Sequence, residues 1–109
     1  MTIKATEVGK IFRYATGFDM SSSTALSLKF THSDGVTTFT ATNPAVTAPA
    51  TIVVDPDLGS LAASTYMEYL TTGTDFTISG TWTVCGTYTD ATPKVFIGDD
   101  ATFTVGDAC

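Results

Sequence analysis

Short stretches that alternate apolar and polar residues run through this chain from Thr24 to Val105, with turn residues between them and no helical period. Alternation with a period of two is typical of β-strands that bury one face. Two hairpin-like units are present, one with strands at 25–31 and 36–40 around Ser33-Asp34-Gly35, and one running from 80–88 through a turn at 90–93 to 95–105. We therefore predict an all-β fold, specifically a small antiparallel β-sandwich.

The alternation also predicts which side chains face the core. In the first hairpin Leu26, Leu28 and Phe30 share one face, and the residues between them face solvent. In the second hairpin Trp82 shares a face with Val84, Gly86 and Tyr88. We predict that Trp82 lies in the core, because sandwiches often place a large aromatic there, and that Cys85 lies on the opposite face.

Three other segments are less regular. Thr51–Val54 is expected to form a short strand that ends at Asp55-Pro56-Asp57-Leu58-Gly59. The segment 61–70 fits a strand better than a helix, although its residues tolerate both. Gly98-Asp99-Asp100 interrupts the last apolar stretch, and this predicts a β-bulge.

Length and charge limit the class of protein. A chain of 109 residues is of single-domain size, and we divide it into an N-terminal arm at 1–7 and a sandwich at 8–109. The net charge of −6 disfavours nucleic acid and anionic membrane surfaces as partners. No apolar run approaches the roughly 18 residues needed to cross a bilayer, and the N-terminus lacks a secretory signal. We expect a soluble protein that is made in the host cytoplasm.

Residues that could support chemistry are few. His32 precedes a turn and is expected to be solvated, and it forms no zinc site with the distant Cys85 and Cys109. The two cysteines are expected to be reduced, with a Cys85–Cys109 disulfide as the alternative. Asp55-x-Asp57-x-Gly59 resembles the start of a calcium loop, but the later ligands are missing. Asp99 and Asp100 are expected to point to opposite faces. We therefore expect no cofactor, no metal and no enzyme activity.

Several short motifs occur together in one order along the chain. They are Gly9, Phe18-Asp19-Met20-Ser21, Leu26-Ser27-Leu28-Lys29-Phe30-Thr31, Ser33-Asp34-Gly35, Gly80-Thr81-Trp82-Thr83-Val84 and Tyr88-Thr89-Asp90. This series resembles the immunoglobulin-like N-terminal domain of phage baseplate upper proteins. Met20 and Ser33 stand where that family usually has leucine and proline. The resemblance covers most of the chain and implies an immunoglobulin-like sandwich.

The resemblance also implies a function. Domains of this family lie in the virion, where they anchor a larger receptor-binding part. Because the sequence ends at Cys109, directly after the domain, we expect a structural virion protein in a symmetric assembly with other virion proteins. Its place would be that of a tail, baseplate or neck adaptor, or of a head decoration protein.

The sequence offers two surfaces for partners. The N-terminal arm carries the apolar Ile3, so we predict partner docking at Ile3, Lys4 and Val8, with a disordered tail as the alternative for the arm. Exposed strand edges could also pair with a neighbour's strand. The alternative function is a carbohydrate- or receptor-binding module that uses exposed aromatic side chains as stacking platforms, with Tyr66, Tyr69, Tyr88 and Trp82 as candidates.

Overall fold

The computed structural model describes residues 3–72 and 74–107, and these residues form strands and turns without a helix. The strands are β1 (Ile3–Lys4), β2 (Ile11–Ala15), β3 (Ser23–His32), β4 (Thr38–Thr42), β5 (Val46–Thr47), β6 (Val53–Asp55), β7 (Gly59–Leu61), β8 (Tyr66–Leu70), β9 (Gly80–Asp90), β10 (Val95–Ile97) and β11 (Ala101–Gly106). The all-β prediction is confirmed, and the helical alternative for 61–70 is wrong. No helix that could cross a membrane is found within these two ranges.

The larger sheet is built around β9. β3 pairs antiparallel with one side of β9, while β10 and β11 lie end to end along its other side. β4 extends the sheet beyond β3, and β1 extends it beyond β11. Both predicted hairpins are present, because β3 turns into β4 and β9 turns into β10.

One pairing in this sheet differs from the antiparallel prediction. β1 runs parallel to β11, with Ile3 opposite Val105 and Lys4 opposite Gly106. The sheet is therefore mixed. An alternating sequence pattern cannot distinguish parallel from antiparallel pairing, since both place every second side chain on one face.

The predicted irregularity at Gly98-Asp99-Asp100 is confirmed. Ile97 pairs with Thr87 and Ala101 pairs with Val84, so three residues of one strand face two residues of the other. Gly98 N still donates to Gly86 O at 2.8 Å. This extra residue separates β10 from β11 and bends the chain away from β9.

The smaller sheet has the order β2-β8-β5, and β6 and β7 form a separate hairpin. The inner face of the smaller sheet packs on the larger sheet. The rings of Phe12 and Phe30 are 5.1 Å apart, and those of Tyr69 and Phe30 are 6.1 Å apart. Two facing sheets around a shared core are compatible with a β-sandwich.

The core lies between the two sheets. Leu26, Leu28, Phe30 and Trp82 are buried, as their alternation predicted. Phe76, which lies in the loop before β9, is buried among them, with its ring 5.1 Å from Phe30 and 5.3 Å from Trp82. Each large apolar side chain removed from water stabilises the fold by roughly 1.5–3 kcal/mol.

Candidate docking groove

The three predicted docking residues do not form one surface. Ile3 is 1% exposed and belongs to the core, while Lys4 and Val8 are exposed. Residues after Ile3 also belong to the folded unit, since Ala5 N donates to Gly106 O and Thr6 N donates to Phe76 O. The division into an arm at 1–7 and a sandwich at 8–109 stays a prediction, and the described residues 3–7 are hydrogen-bonded to the rest of the fold. The apolar side chain that suggested docking instead anchors β1 in the sheet.

The four candidate stacking platforms are not on the surface. Tyr66, Tyr69, Tyr88 and Trp82 are between 0% and 6% exposed. The polar groups of three of them are hydrogen-bonded inside the fold: Tyr66 Oη donates to Thr51 O at 2.9 Å and Trp82 Nε1 donates to Ile78 O at 3.0 Å. Tyr69 Oη donates to Asp75 Oδ2 at 2.6 Å, and burial followed by this carboxylate raises the Tyr69 pKa. These aromatics are core residues with polar ends.

His32 was expected to be solvated, and this is wrong. Its side chain is 11% exposed and packs edge-on against Trp82, with ring centroids 5.1 Å apart. Nδ1 accepts from Asp34 N at 3.0 Å, so the proton lies on Nε2, which donates to Ser79 O at 2.9 Å. The histidine joins the β3–β4 turn to the loop before β9.

The acidic turn at 55–59 has a structural role. Asp55 Oδ1 accepts from Asp57 N at 2.9 Å and from Leu58 N at 3.0 Å, which closes the β6–β7 hairpin. Within 3–72 and 74–107, no group of three or more acidic, histidine or cysteine side chains could hold a metal ion. The Asx-type turn explains the Asp-x-Asp-x-Gly spacing without a cation.

Cys85 lies on the face opposite Trp82, as predicted, and is half-buried. Its Sγ donates to Gly98 O at 3.5 Å. Burial, followed by the charge of Asp100, raises the Cys85 pKa, so the thiol is a poor nucleophile at neutral pH. The alternative pairing with Cys109 lies outside the described residues.

A groove of about 570 Å³ runs along the outer edge of β2. Three parts of the chain form its walls, namely β2, the tip of the β6–β7 hairpin, and the segment from Asp99 through most of β11, and Val84 of β9 also lines it. Phe12, Val84 and Phe103 give it an apolar lining. The ring of Phe103 is 4.9 Å from that of Phe12, so the floor is continuous between the two sheets.

Among residues 3–72 and 74–107, the backbone of β2 is paired on one side only, by β8. Lys10 O accepts from Thr71 N and Thr16 N donates to Thr65 O, which places the even-numbered residues of the strand opposite β8. Strand alternation then directs the N–H and C=O groups of Ile11, Arg13 and Ala15 away from β8. These groups form an open edge beside the groove.

Arg13 holds the β6–β7 hairpin, which is one wall of the groove, against the smaller sheet. Its Nη1 donates to Asp55 Oδ2 and its Nε donates to Glu68 Oε2, each at 3.0 Å. The hydrogen bond to Asp55 is the main cause that raises the Arg13 pKa, against the opposing effect of burial. The arginine thus connects the β6–β7 hairpin to the smaller sheet through charge-assisted hydrogen bonds.

Tyr14 closes one end of the groove. Its Oη donates to Asp99 O, and its ring lies directly over Gly86. A Cβ at Gly86 would be 2.5 Å from Tyr14 Cε1, so only glycine permits this packing. Burial raises the Tyr14 pKa, and the phenol remains a donor at neutral pH. This contact ties β2 to β9 and to the bulge.

The groove is acidic. Of the charged side chains that line it, Arg13 is a cation and Asp55, Asp57, Asp99 and Asp100 are carboxylates. Asp99 and Asp100 are exposed, and none of the ion pairs found among the described residues includes either of them. Sequence reasoning identified these residues, but it did not find the groove, because its three walls come from distant parts of the chain.

Searches of protein-family models, of curated proteins and of solved structures found no match to this chain.

Proposed function

We propose that this chain is a non-enzymatic structural protein that acts through protein–protein contacts in a symmetric assembly. Following the resemblance of its motifs, we place it in a phage virion, as a tail, baseplate or neck adaptor or as a head decoration protein. Its partners in this proposal are other virion proteins, and its fold is the immunoglobulin-like form of the β-sandwich.

The observation that carries this proposal is the open edge of β2 beside an apolar groove. An open edge presents backbone donors and acceptors that another strand can satisfy, and proteins normally shield such edges. Here the edge borders a groove that Phe12 and Phe103 line with apolar surface. A partner that adds a strand gains main-chain hydrogen bonds and apolar contact at the same place.

The immunoglobulin-like form is supported by the arrangement of the strands. Two sheets face each other, and Trp82 on the central strand β9 packs between them. The first strand, β1, lies parallel beside the last strand, β11. These features agree with the motifs on which the resemblance rests.

The test is to purify particles from a lysate that contains this chain and to examine them by mass spectrometry and cryo-electron microscopy. We expect the chain in stoichiometric, symmetry-related copies, with density at the tail, neck, baseplate or head surface. Particles that lack the chain would contradict the virion assignment. Specific binding on a glycan array would instead favour a carbohydrate-binding module.

A further inference from the structure

We propose that the groove along β2 binds an extended, basic segment of a partner protein, which adds to β2 as a further strand. This inference rests on the proposed function and names the chemistry of the partner's contact. Three observations support it: the open backbone of β2, the apolar floor, and the acidic rim.

The open backbone fixes the geometry of the bound segment. Ile11, Arg13 and Ala15 direct their backbone groups away from β8, and Arg13 and Ala15 line the groove, so an added strand would form main-chain hydrogen bonds with these three residues. β2 is five residues long, which corresponds to a bound segment of about 17 Å.

The lining fixes the side chains of the bound segment. Because neighbours on a strand point to opposite faces, apolar residues at every second position can lie on Phe12 and Phe103. Asp99 and Asp100 carry negative charge at the rim, whereas Arg13 is already paired with Asp55 and Glu68. A segment with lysine or arginine matches this charge, and an acidic segment is repelled.

The same charge argues against a second copy of this chain as the occupant. Each copy has a net charge of −6 with five lysine and arginine residues. The edge strands β4 and β5 contain no lysine or arginine. Of the other edge strands, β1 contains Lys4, β2 follows Lys10 and contains Arg13, and β10 follows Lys94, but the carboxylates outnumber these cations in each copy. Two copies would therefore bring together surfaces of like charge, which disfavours their association.

The test is an NMR titration of the ¹⁵N-labelled protein with a capped nine-residue peptide in which lysine alternates with valine and threonine. We expect saturable shifts at the amides of Ile11, Arg13 and Ala15. The same peptide with glutamate in place of lysine should not bind. A lysine peptide with N-methyl groups along one edge should also fail, because it cannot form the strand pairing.

One variant tests the acidic rim of the groove, and a second tests the open backbone of β2. Asp99→Asn/Asp100→Asn should weaken the lysine peptide at least about threefold, since each lost rim charge is worth a fraction of a kcal/mol. Its control, Asp19→Asn/Asp107→Asn, removes the same charge at residues that do not line the groove and should have no effect. Ala15→Pro removes one outward N–H and should weaken binding by a similar factor.

The control for Ala15→Pro is Thr40→Pro, which removes an outward N–H from the edge strand β4. His32 N donates to Thr37 O, so strand alternation directs Thr40 N–H away from β3. Circular dichroism establishes that each proline variant is folded. If Ala15→Pro does not fold, the Asp99 and Asp100 variant decides the question.

Several results would overturn the proposal. Absence of peptide binding is one, and equal weakening by both charge-neutralised pairs is another, because it would indicate non-specific attraction to an acidic surface. Concentration-dependent shifts at Ile11, Arg13 and Ala15 without peptide would assign the groove to a second copy. If particles contain the chain and the peptide fails to bind, the groove proposal falls while the virion proposal stands. If the peptide binds but particles lack the chain, the virion proposal falls while the groove proposal stands.

Discussion

β9 and β2 both present alternating side chains to the same core, but their backbones are in different situations. β9 is paired on both sides along most of its length, by β3 on one side and by β10 and β11 on the other. Within the part of the chain that the structure describes, β2 is paired by β8 alone. The contrast indicates that stability is concentrated around β9, whereas β2 keeps backbone groups and a groove available to another chain. Three predictions test this division, and a fourth concerns a turn that lies outside both regions.

Trp82→Ala tests the region around β9 and should have the largest effect. The indole is fully buried and packs against Phe39, Phe76 and His32, so its removal leaves a large cavity. We expect the free energy of unfolding to fall by about 3–5 kcal/mol, measured by chemical denaturation. Val54→Ala, at a side chain that is 74% exposed, is the control and should change little. An unchanged midpoint for Trp82→Ala would show that β9 is not the centre of stability.

Arg13→Met tests the region around β2. It leaves Asp55, which is 6% exposed, without its cation and separates the β6–β7 hairpin from the smaller sheet. We expect a loss of about 1.5–3 kcal/mol in the same assay, the usual value of hydrogen bonds to charged groups. Lys29→Met removes an exposed cation from the larger sheet and serves as the control. A loss as large as that of Trp82→Ala would remove the contrast between the two regions.

Gly86→Ala tests the contact that joins the two regions. The added methyl would overlap the Tyr14 ring and push it away from β9. We expect a destabilisation of about 1–3 kcal/mol, as for other overpacked sites. Gly106→Ala is the control, since its Cβ would lie 3.9 Å from the nearest atoms. Equal stability of the two variants would show that the Tyr14 contact is not tight.

Asp34 lies in the β3–β4 turn, outside both regions. Its protonation should have the smallest effect of the four changes on the stability of the fold. Its carboxylate accepts from Thr37 N, Val36 N and the Thr37 hydroxyl, and these bonds lower its pKa to about 2. Since the folded pKa lies below the ordinary value of 3.8, the stabilisation is present above pH 3.8 and is lost as the pH falls towards 2.

A ¹³C NMR titration of the Asp34 carboxyl measures this directly. We expect its midpoint near pH 2, while Asp34→Ala should lose the corresponding part of the acid dependence of stability. A midpoint at 3.8 would contradict the turn hydrogen bonds.

The elements that could be predicted from the sequence are those with short-range signals. Leu26, Leu28 and Phe30 alternate within one strand, and the turn residues after them are short-range signals. Ile3 and Phe76 were missed as core residues because their burial depends on partners far along the chain. His32 was misplaced for the same reason, since its partner is Ser79 O. Tyr66 and Tyr69 were proposed as exposed stacking platforms because they are aromatic, but both are buried and each hydroxyl finds a partner within the fold.

The groove was less predictable than the core. Exposed strand edges were expected as a class, but an alternating pattern does not say which strand lies at an edge. That β2 is open follows from the strand order, and its neighbours in the groove come from 55–58 and 99–104. The charge of Asp99 and Asp100 was visible in the sequence, whereas their position beside Phe12 and Phe103 was not.

The pairing of β3 with β9 also governs how the chain reaches its native state. β3 ends at His32 and β9 begins at Gly80, so a long loop must close before the two central strands can meet. Loop closure of this kind lowers the entropy of the chain before any contact between the strands compensates for it. Folds dominated by such non-local pairing refold in roughly milliseconds to seconds, more slowly than helical domains of equal size. During that time the β3–β4 hairpin can form on its own, while β9 has yet to acquire the neighbours on both sides that make it the centre of the native sheet.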